Sequence, residues 1–243
     1  MDNFKELLVE RTKVFSDEVD GLKFSFDGYV YNPLNYGWAN HKAYLEKYVN
    51  QNVRALFLGM NPGPFGMAQT AVPFGEVGFV KNWLKLTNNI GKPSKEHPKR
   101  VILGLDVERS EVSGLRLWGF FSEHYPDAND FFALYGVMNY CPLVFVDGGA
   151  TGKNIIPEKL IKEEQLSLEN VCDAYLDDII TLIKPKALVG IGRYAQKKLS
   201  EAKKRLNIDL DVFSILHPSP SNPQANKNWQ EVVSTQLKKA SLW

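Results

Sequence analysis

Four short apolar runs, spaced by segments of helical periodicity, constrain this chain more than any other feature. They are Val53–Leu58, Phe131–Val137, Ala187–Ile191 and Val212–Leu216. Runs of this length, rich in β-branched and aromatic residues and bounded by Gly and Pro, read as buried strands. Between them, apolar residues recur at helical spacing: Val77, Val80, Trp83 and Leu84; then Leu115, Trp118 and Phe121. Pro157, at a favoured first-turn position, opens a long helix with Leu160, Leu168, Val171, Tyr175, Ile179 and Leu182 inward. A basic amphipathic helix runs from Tyr194 to Leu206, and a last one from Pro223 carries Trp229, Val232, Val233 and Leu237. Strands alternating with helices predict an α/β fold, three-layer αβα around a central, mainly parallel four-stranded sheet.

Ahead of the first run, Phe4, Leu7, Leu8, Val14 and Phe15 share one helical face, and residues 22–38 form an aromatic-rich extended covering. Trp38, His41, Tyr44, Leu45 and Tyr48 mark a further helix. No repeat, low-complexity tract or linker divides the 243 residues, so a single domain over 1–243 is expected.

In a parallel sheet all carboxyl ends of the strands share one edge, where open α/β folds bind ligands. Three polar residues fall just beyond such ends: Asn61, Asn139 and His217. Asn61 sits in Gly59-Met60-Asn61-Pro62-Gly63-Pro64-Phe65-Gly66-Met67, where prolines fix φ and glycines permit tight turns. Two amides and an imidazole read donor and acceptor patterns well but are poor general bases. The sequence shows no Ser–His pair, carboxylate pair or metal-ligand cluster beside them. Chemistry at such a site needs little activation of a nucleophile and much stabilisation of a leaving group. Cleavage of an N-glycosidic bond to a pyrimidine with an acidic N–H fits those limits.

A net charge of +1 gives no global basic field, so any nucleic-acid contact must come from local patches. One such patch is the charged connection of residues 87–112, with Lys92, Lys95, Lys99 and Arg100. Cys141 and Cys172, the only two cysteines, have no metal-like spacing and are too few for a disulfide framework. No apolar stretch approaches the roughly 18 residues of a membrane span, and no signal-peptide core is present. A soluble intracellular protein without cofactor, metal or membrane contact is expected: cytoplasmic or nucleoid-associated in a prokaryote, nuclear in a eukaryote.

The segment from Gly59 to Thr70, continuing to Val72-Pro73-Phe74-Gly75-Glu76-Val77, closely resembles the first motif of the single-strand-selective monofunctional uracil-DNA glycosylases. His217-Pro218-Ser219-Pro220, followed by Asn222-Pro223-Gln224-Ala225-Asn226-Lys227, is similar to their second motif. Ser113-Gly114, Trp118-Gly119-Phe120-Phe121 and Asn139-Tyr140-Cys141-Pro142-Leu143 match in order between them, and the likeness runs from about residue 28 to the C-terminus.

The resemblance implies that Asn61 positions the water attacking C1′ of deoxyribose and that His217 stabilises charge on the departing uracil O2. It implies that Asn139 reads the uracil edge, that Phe74 stacks on the ring, and that Met60 and Gly63 border the base through main-chain groups. An open glycine at 63 leaves room for a substituent at C5, so 5-hydroxymethyluracil is a second expected substrate. DNA contacts are implied for Gly152, Lys153 and Asn154, for Gly190 and Gly192, and for the wedge of Pro218, Ser219, Pro220, Ser221, Asn222 and Lys227. Ser221 stands where vertebrate members tend to carry arginine, which predicts a weaker plug in duplex DNA. The implied partners are single- and double-stranded DNA, bound by a monomer. No lysine in the matched motifs is placed to form a Schiff base with the sugar, so base release without strand cleavage is expected.

Two other readings compete. Gly190-x-Gly192-x-x-Ala195 between a strand and a helix imitates a dinucleotide fingerprint, with Asp209 or Asp211 beyond it, and so a nicotinamide-dependent oxidoreductase. A nucleic-acid module that senses flipped bases without catalysis would use the same residues as the glycosylase.

Overall fold

The computed structural model describes residues 3–243. Helix α1 (Asn3–Asp20) buries Phe4, Leu8, Thr12, Phe15, Ser16 and Val19. Leu7 and Val14, expected on that face, are exposed at 43% and 45%. The buried stripe instead takes small polar groups that satisfy themselves: the Thr12 hydroxyl donates to the Leu8 carbonyl and pairs with the Tyr175 hydroxyl, both at 2.8 Å. Strand β1 (Gly28–Tyr31), one-turn helix α2 (Pro33–Tyr36) and helix α3 (Trp38–Tyr48) follow.

The first core strand is β2 (Ala55–Gly59), buried at every residue. After it come α4 (Met67–Thr70) and α5 (Val77–Asn82), the latter capped by the Glu76 carboxylate accepting from the Phe79 amide at 3.0 Å. An irregular connection precedes α6 (Val112–His124). The stretch predicted as a strand from Phe131 divides: α7 (Ala128–Leu134) comes first, and β3 (Tyr135–Asn139) begins only at Tyr135. Asp127 decides this by capping α7, accepting from the Asn129 amide at 2.8 Å, while Phe131 and Phe132 turn into a cluster with Trp83 and Trp118.

Strand β4 (Val144–Asp147) and the two-residue β5 (Asn154–Ile155) precede a 3₁₀ turn at Pro157–Lys159. The long helix α8 therefore opens at Lys162 and runs to Ile183, because the chain between turn and helix is extended at Leu160 and Ile161. Strand β6 (Ala187–Ile191), helix α9 (Arg193–Leu206), strand β7 (Asp211–Ile215) and helix α10 (Ala225–Lys239) complete the chain.

The main sheet has the order β3-β2-β6-β7 and is parallel throughout. Helices flank it in the three-layer αβα arrangement, with α9 packed on β6 and β7, α8 against α9, and α10 against β7. A second, antiparallel sheet of order β1-β4-β5 was not foreseen; its strands are two to four residues long, too short for a period-2 pattern to stand out. Among the described residues, no helix is long and apolar enough to cross a membrane.

Candidate active site

Register fixes the geometry of the sheet edge. Gly59 pairs with Asn139 at the ends of β2 and β3, and the chains stay joined beyond them. The Tyr140 amide donates to the Gly59 carbonyl at 2.9 Å, and that of Cys141 to the Met60 carbonyl at 2.8 Å. The Met60 carbonyl is thus already engaged. Gln69 then holds the following loop from inside. Its amide donates to the carbonyls of Pro64 and Val101 at 3.0 and 3.1 Å, and its oxygen accepts from the amides of Leu103 and Gly104 at 2.8 and 3.2 Å. Asn61 itself is held loosely, its amide donating to the Pro62 carbonyl at 3.3 Å.

A cavity of about 580 Å³ opens at this edge and gathers Met60, Asn61, Gly63, Phe74, Asn139 and His217 around one space. Asn154, Gly192, Ser219, Pro220 and Ser221 also line it. Other residues assigned to DNA contact lie apart from it. Gly190 is buried within β6, where a Cβ would stand 2.3 Å from the Gln196 backbone nitrogen; its glycine serves the packing of α9 on the strand. Gly152 is buried too, in the left-handed region (φ +55°) under the His97 ring. Pro218 is buried and its carbonyl accepts from Arg116 at 2.9 Å, while the Asn222 side chain accepts from the Gln224 amide at 3.0 Å. Lys153 and Lys227 are exposed outside the cavity.

Recognition groups converge on Gly59. A Cβ there would stand 2.3 Å from Asn139 Oδ1 and 2.6 Å from the Phe74 ring, so only glycine lets both lie against the strand end. Phe74 occupies the left-handed region at φ +51°, costly for a bulky residue and typical of strained functional positions. Its carbonyl is pressed against Gly114, where a Cβ would approach to 2.0 Å. Asn139 Nδ2 reaches Met67 Sδ at 3.3 Å, and its Oδ1 is buried with no partner among the described residues. A buried acceptor with no donor from the protein is open to a donor from a ligand or from water. Around Gly63 a Cβ would meet nothing within 4 Å.

His217 is prepared as a neutral donor. Burial lowers its pKa from 6.5 to about 4. The Ser219 amide donates to Nδ1 at 3.1 Å, which makes Nδ1 an acceptor and places the proton of the neutral ring on Nε2. The Phe74 and His217 rings lie with centroids 6.3 Å apart.

One carboxylate that the sequence did not single out, Glu111, also lines the cavity. Its carboxylate caps α6, accepting from the Ser113 amide at 3.0 Å and from that of Gly114, and burial raises its pKa. The only signal for it was its position just before Ser113-Gly114, indistinguishable in a connection already rich in charge. Arg193 and Tyr194 also line the cavity unforeseen; the Tyr194 hydroxyl is buried without a partner among the described residues.

Residues 46–238 match the family model of the uracil DNA glycosylase superfamily. The chain is 44% identical over 228 residues to the single-strand selective monofunctional uracil DNA glycosylase of Bos taurus, covering 93% of this chain and 83% of that one. It is 42% identical over 215 residues to the Rattus norvegicus protein of that name, covering 88% and 77%. The crystal structure of wild-type Pedobacter heparinus SMUG2 shares the fold, with a TM-score of 0.65 at 17% identity over 93% of this chain and 97% of that one.

Proposed function

Because the chain belongs to the single-strand selective monofunctional uracil DNA glycosylases of the uracil DNA glycosylase superfamily, we propose that it hydrolyses the N-glycosidic bond of uracil in DNA and so initiates base excision repair. The observation that carries this reading to the level of residues is the bare Asn139 Oδ1 in the same cavity as His217 and Asn61. Uracil offers an N3–H donor flanked by two carbonyls. Asn139 Oδ1 accepts from N3–H, and its amide nitrogen donates to O4. Cytosine, which has an acceptor at N3, would leave that oxygen unpaired and is rejected at a cost of about 1–3 kcal/mol.

The target nucleotide leaves the stack to enter the cavity, at a cost of a few kcal/mol that is least for single strands. Phe74 stacks on the base and Asn61 Oδ1 accepts from the attacking water. The water oxygen bonds to C1′, the C1′–N1 bond breaks, and its electron pair spreads over N1 and O2 of uracil. The His217 Nε2–H donates to O2 as that charge develops, acting as the donor of an oxyanion hole does. The water's proton leaves to solvent. Gly63 leaves space at C5, so 5-hydroxymethyluracil is accepted too. Ser221, exposed and paired to Ser219 through their hydroxyls at 2.7 Å, is a short wedge, so single strands are processed faster than duplexes. The protein acts as a monomer over one domain, and no lysine of the matched motifs is placed to form a Schiff base with the sugar, so the DNA strand is left intact.

The test is a labelled oligonucleotide with one uracil, incubated with protein and then treated with alkali. Wild-type protein yields strand breaks at uracil only after alkali, and both Asn61→Ala and His217→Ala lose them. Breaks that persist undiminished in both variants refute the roles given. Binding without base release would favour the non-catalytic module, and a borohydride-trapped adduct would contradict monofunctional chemistry.

A further inference from the structure

A second depression, of about 380 Å³, lies on the other side of the catalytic loop. Pro64 and Gly66 face the active-site cavity, whereas Phe65, between them in sequence, lines this depression. Consecutive Cα atoms are only about 3.8 Å apart, so the two hollows share the loop as a common rim. Gln69 ties that rim to the far wall, its amide bridging the carbonyls of Pro64 and Val101.

The Phe65 ring carries two guanidiniums. The Arg109 Cζ stands 4.0 Å from its centroid and the Arg100 Cζ 5.3 Å. Stacking on an aromatic face orients a guanidinium plane while leaving its N–H edge free. Asp106 and Glu108 line the same depression, yet no ion pair within 4.0 Å joins either arginine to a described carboxylate. Arg100 Nε is buried and unpartnered among the described residues, its only side-chain hydrogen bond running from Nη1 to the Lys99 carbonyl at 2.8 Å. Lys99 adds an exposed ammonium. Two oriented guanidiniums on one ring, neither joined to a described carboxylate, suit the bidentate geometry of a phosphodiester.

We propose that Phe65, Arg100 and Arg109 form a backbone-phosphate subsite that holds the DNA strand within one or two nucleotides of the flipped base. The inference rests on the glycosylase reading and extends it: the subsite grips a single strand without reading sequence. Lys92 and Lys95, on the same connection, lie outside the depression.

Arg109, exposed, is the variant that spares the fold. Anisotropy is measured with a labelled single-stranded 19-mer carrying one 2′-fluoro-2′-deoxyuridine, for wild type, Arg109→Gln and Phe65→Leu, across a salt series. A lost phosphate contact lowers the slope of log affinity against log salt by about 0.7 on single strands. The expected result is that drop in Arg109→Gln, with about 3–10-fold weaker binding at low salt and a smaller loss in Phe65→Leu. A single methylphosphonate adjoining the fluorinated nucleotide should weaken wild type by the same factor and Arg109→Gln hardly at all. Unchanged slope and affinity in Arg109→Gln overturn the subsite. Uracil release by wild type in parallel scores the glycosylase reading separately, since the binding series requires no cleavage.

Discussion

The Ser219 amide nitrogen lies 3.1 Å from His217 Nδ1, so the backbone two residues on chooses the tautomer of the ring. Protonating Nδ1 would set two N–H donors against each other, in a site whose burial already lowers the pKa to about 4. Activity that needs the neutral ring is therefore flat from about pH 5.5 to 8 and falls as the pH approaches 4. Single-turnover uracil release across that range checks it. A limb near pH 6.5 would mean that the ring titrates as an ordinary histidine. His217→Gln should lower kcat by about 100–1,000-fold with KM little changed, the loss expected for one donor to a developing anion.

Gly59 lets Asn139 and Phe74 approach one strand end together, and a single methyl group there displaces both. Gly59→Ala should reduce kcat/KM on uracil by about 100-fold, since shifts near 1 Å at a reacting centre cost that much. Circular dichroism should show a folded protein, because the parallel ladder of β2 ends at this residue. Wild-type kcat/KM in a folded Gly59→Ala protein would disprove the convergence.

Space beyond Gly63 is open, which makes it the place to separate substrates. Gly63→Ala meets nothing within 4 Å and has no positive φ to violate, so its melting temperature should match wild type. Release of 5-hydroxymethyluracil should fall about tenfold more than release of uracil, the scale of discrimination one methyl group supplies. Equal losses on both bases would place the C5 substituent elsewhere.

Much of this site was readable because strand ends are. Asn61, Asn139 and His217 each follow a short apolar run, and parallel topology brings such positions to one edge whatever the details of the helices. Glu111 was not readable, since a capping carboxylate looks like any other acid in a charged connection until α6 is in place. Phe131 to Val137 is one apolar run that the capping of Asp127 divides into helix and strand. Gly190 and Gly152 carry a second demand that the sequence does not display. Both are required by packing, against α9 and His97, and nothing in a glycine's sequence context separates that need from contact with a ligand.

His41 makes the stability of the protein depend on pH away from the site. It is 2% exposed; Nδ1 donates to the Ala71 carbonyl at 2.7 Å, and Nε2 is buried with no partner among the described residues. Burial lowers its pKa from 6.5 to about 4. Between those values the unfolded chain binds the proton and the folded protein does not. Its contribution is complete above about pH 6.5 and is lost as the pH falls toward 4, on the order of 3 kcal/mol for such a displacement. In a domain of this size that is roughly 6–12 °C of melting temperature. His217 adds a loss of the same sign over the same window. Thermal melts of wild type and His41→Gln from pH 7 to 4 separate the two histidines: the variant, which cannot titrate at position 41, should lose distinctly less. Parallel curves would mean that His41 takes up its proton alike in the folded and the unfolded chain.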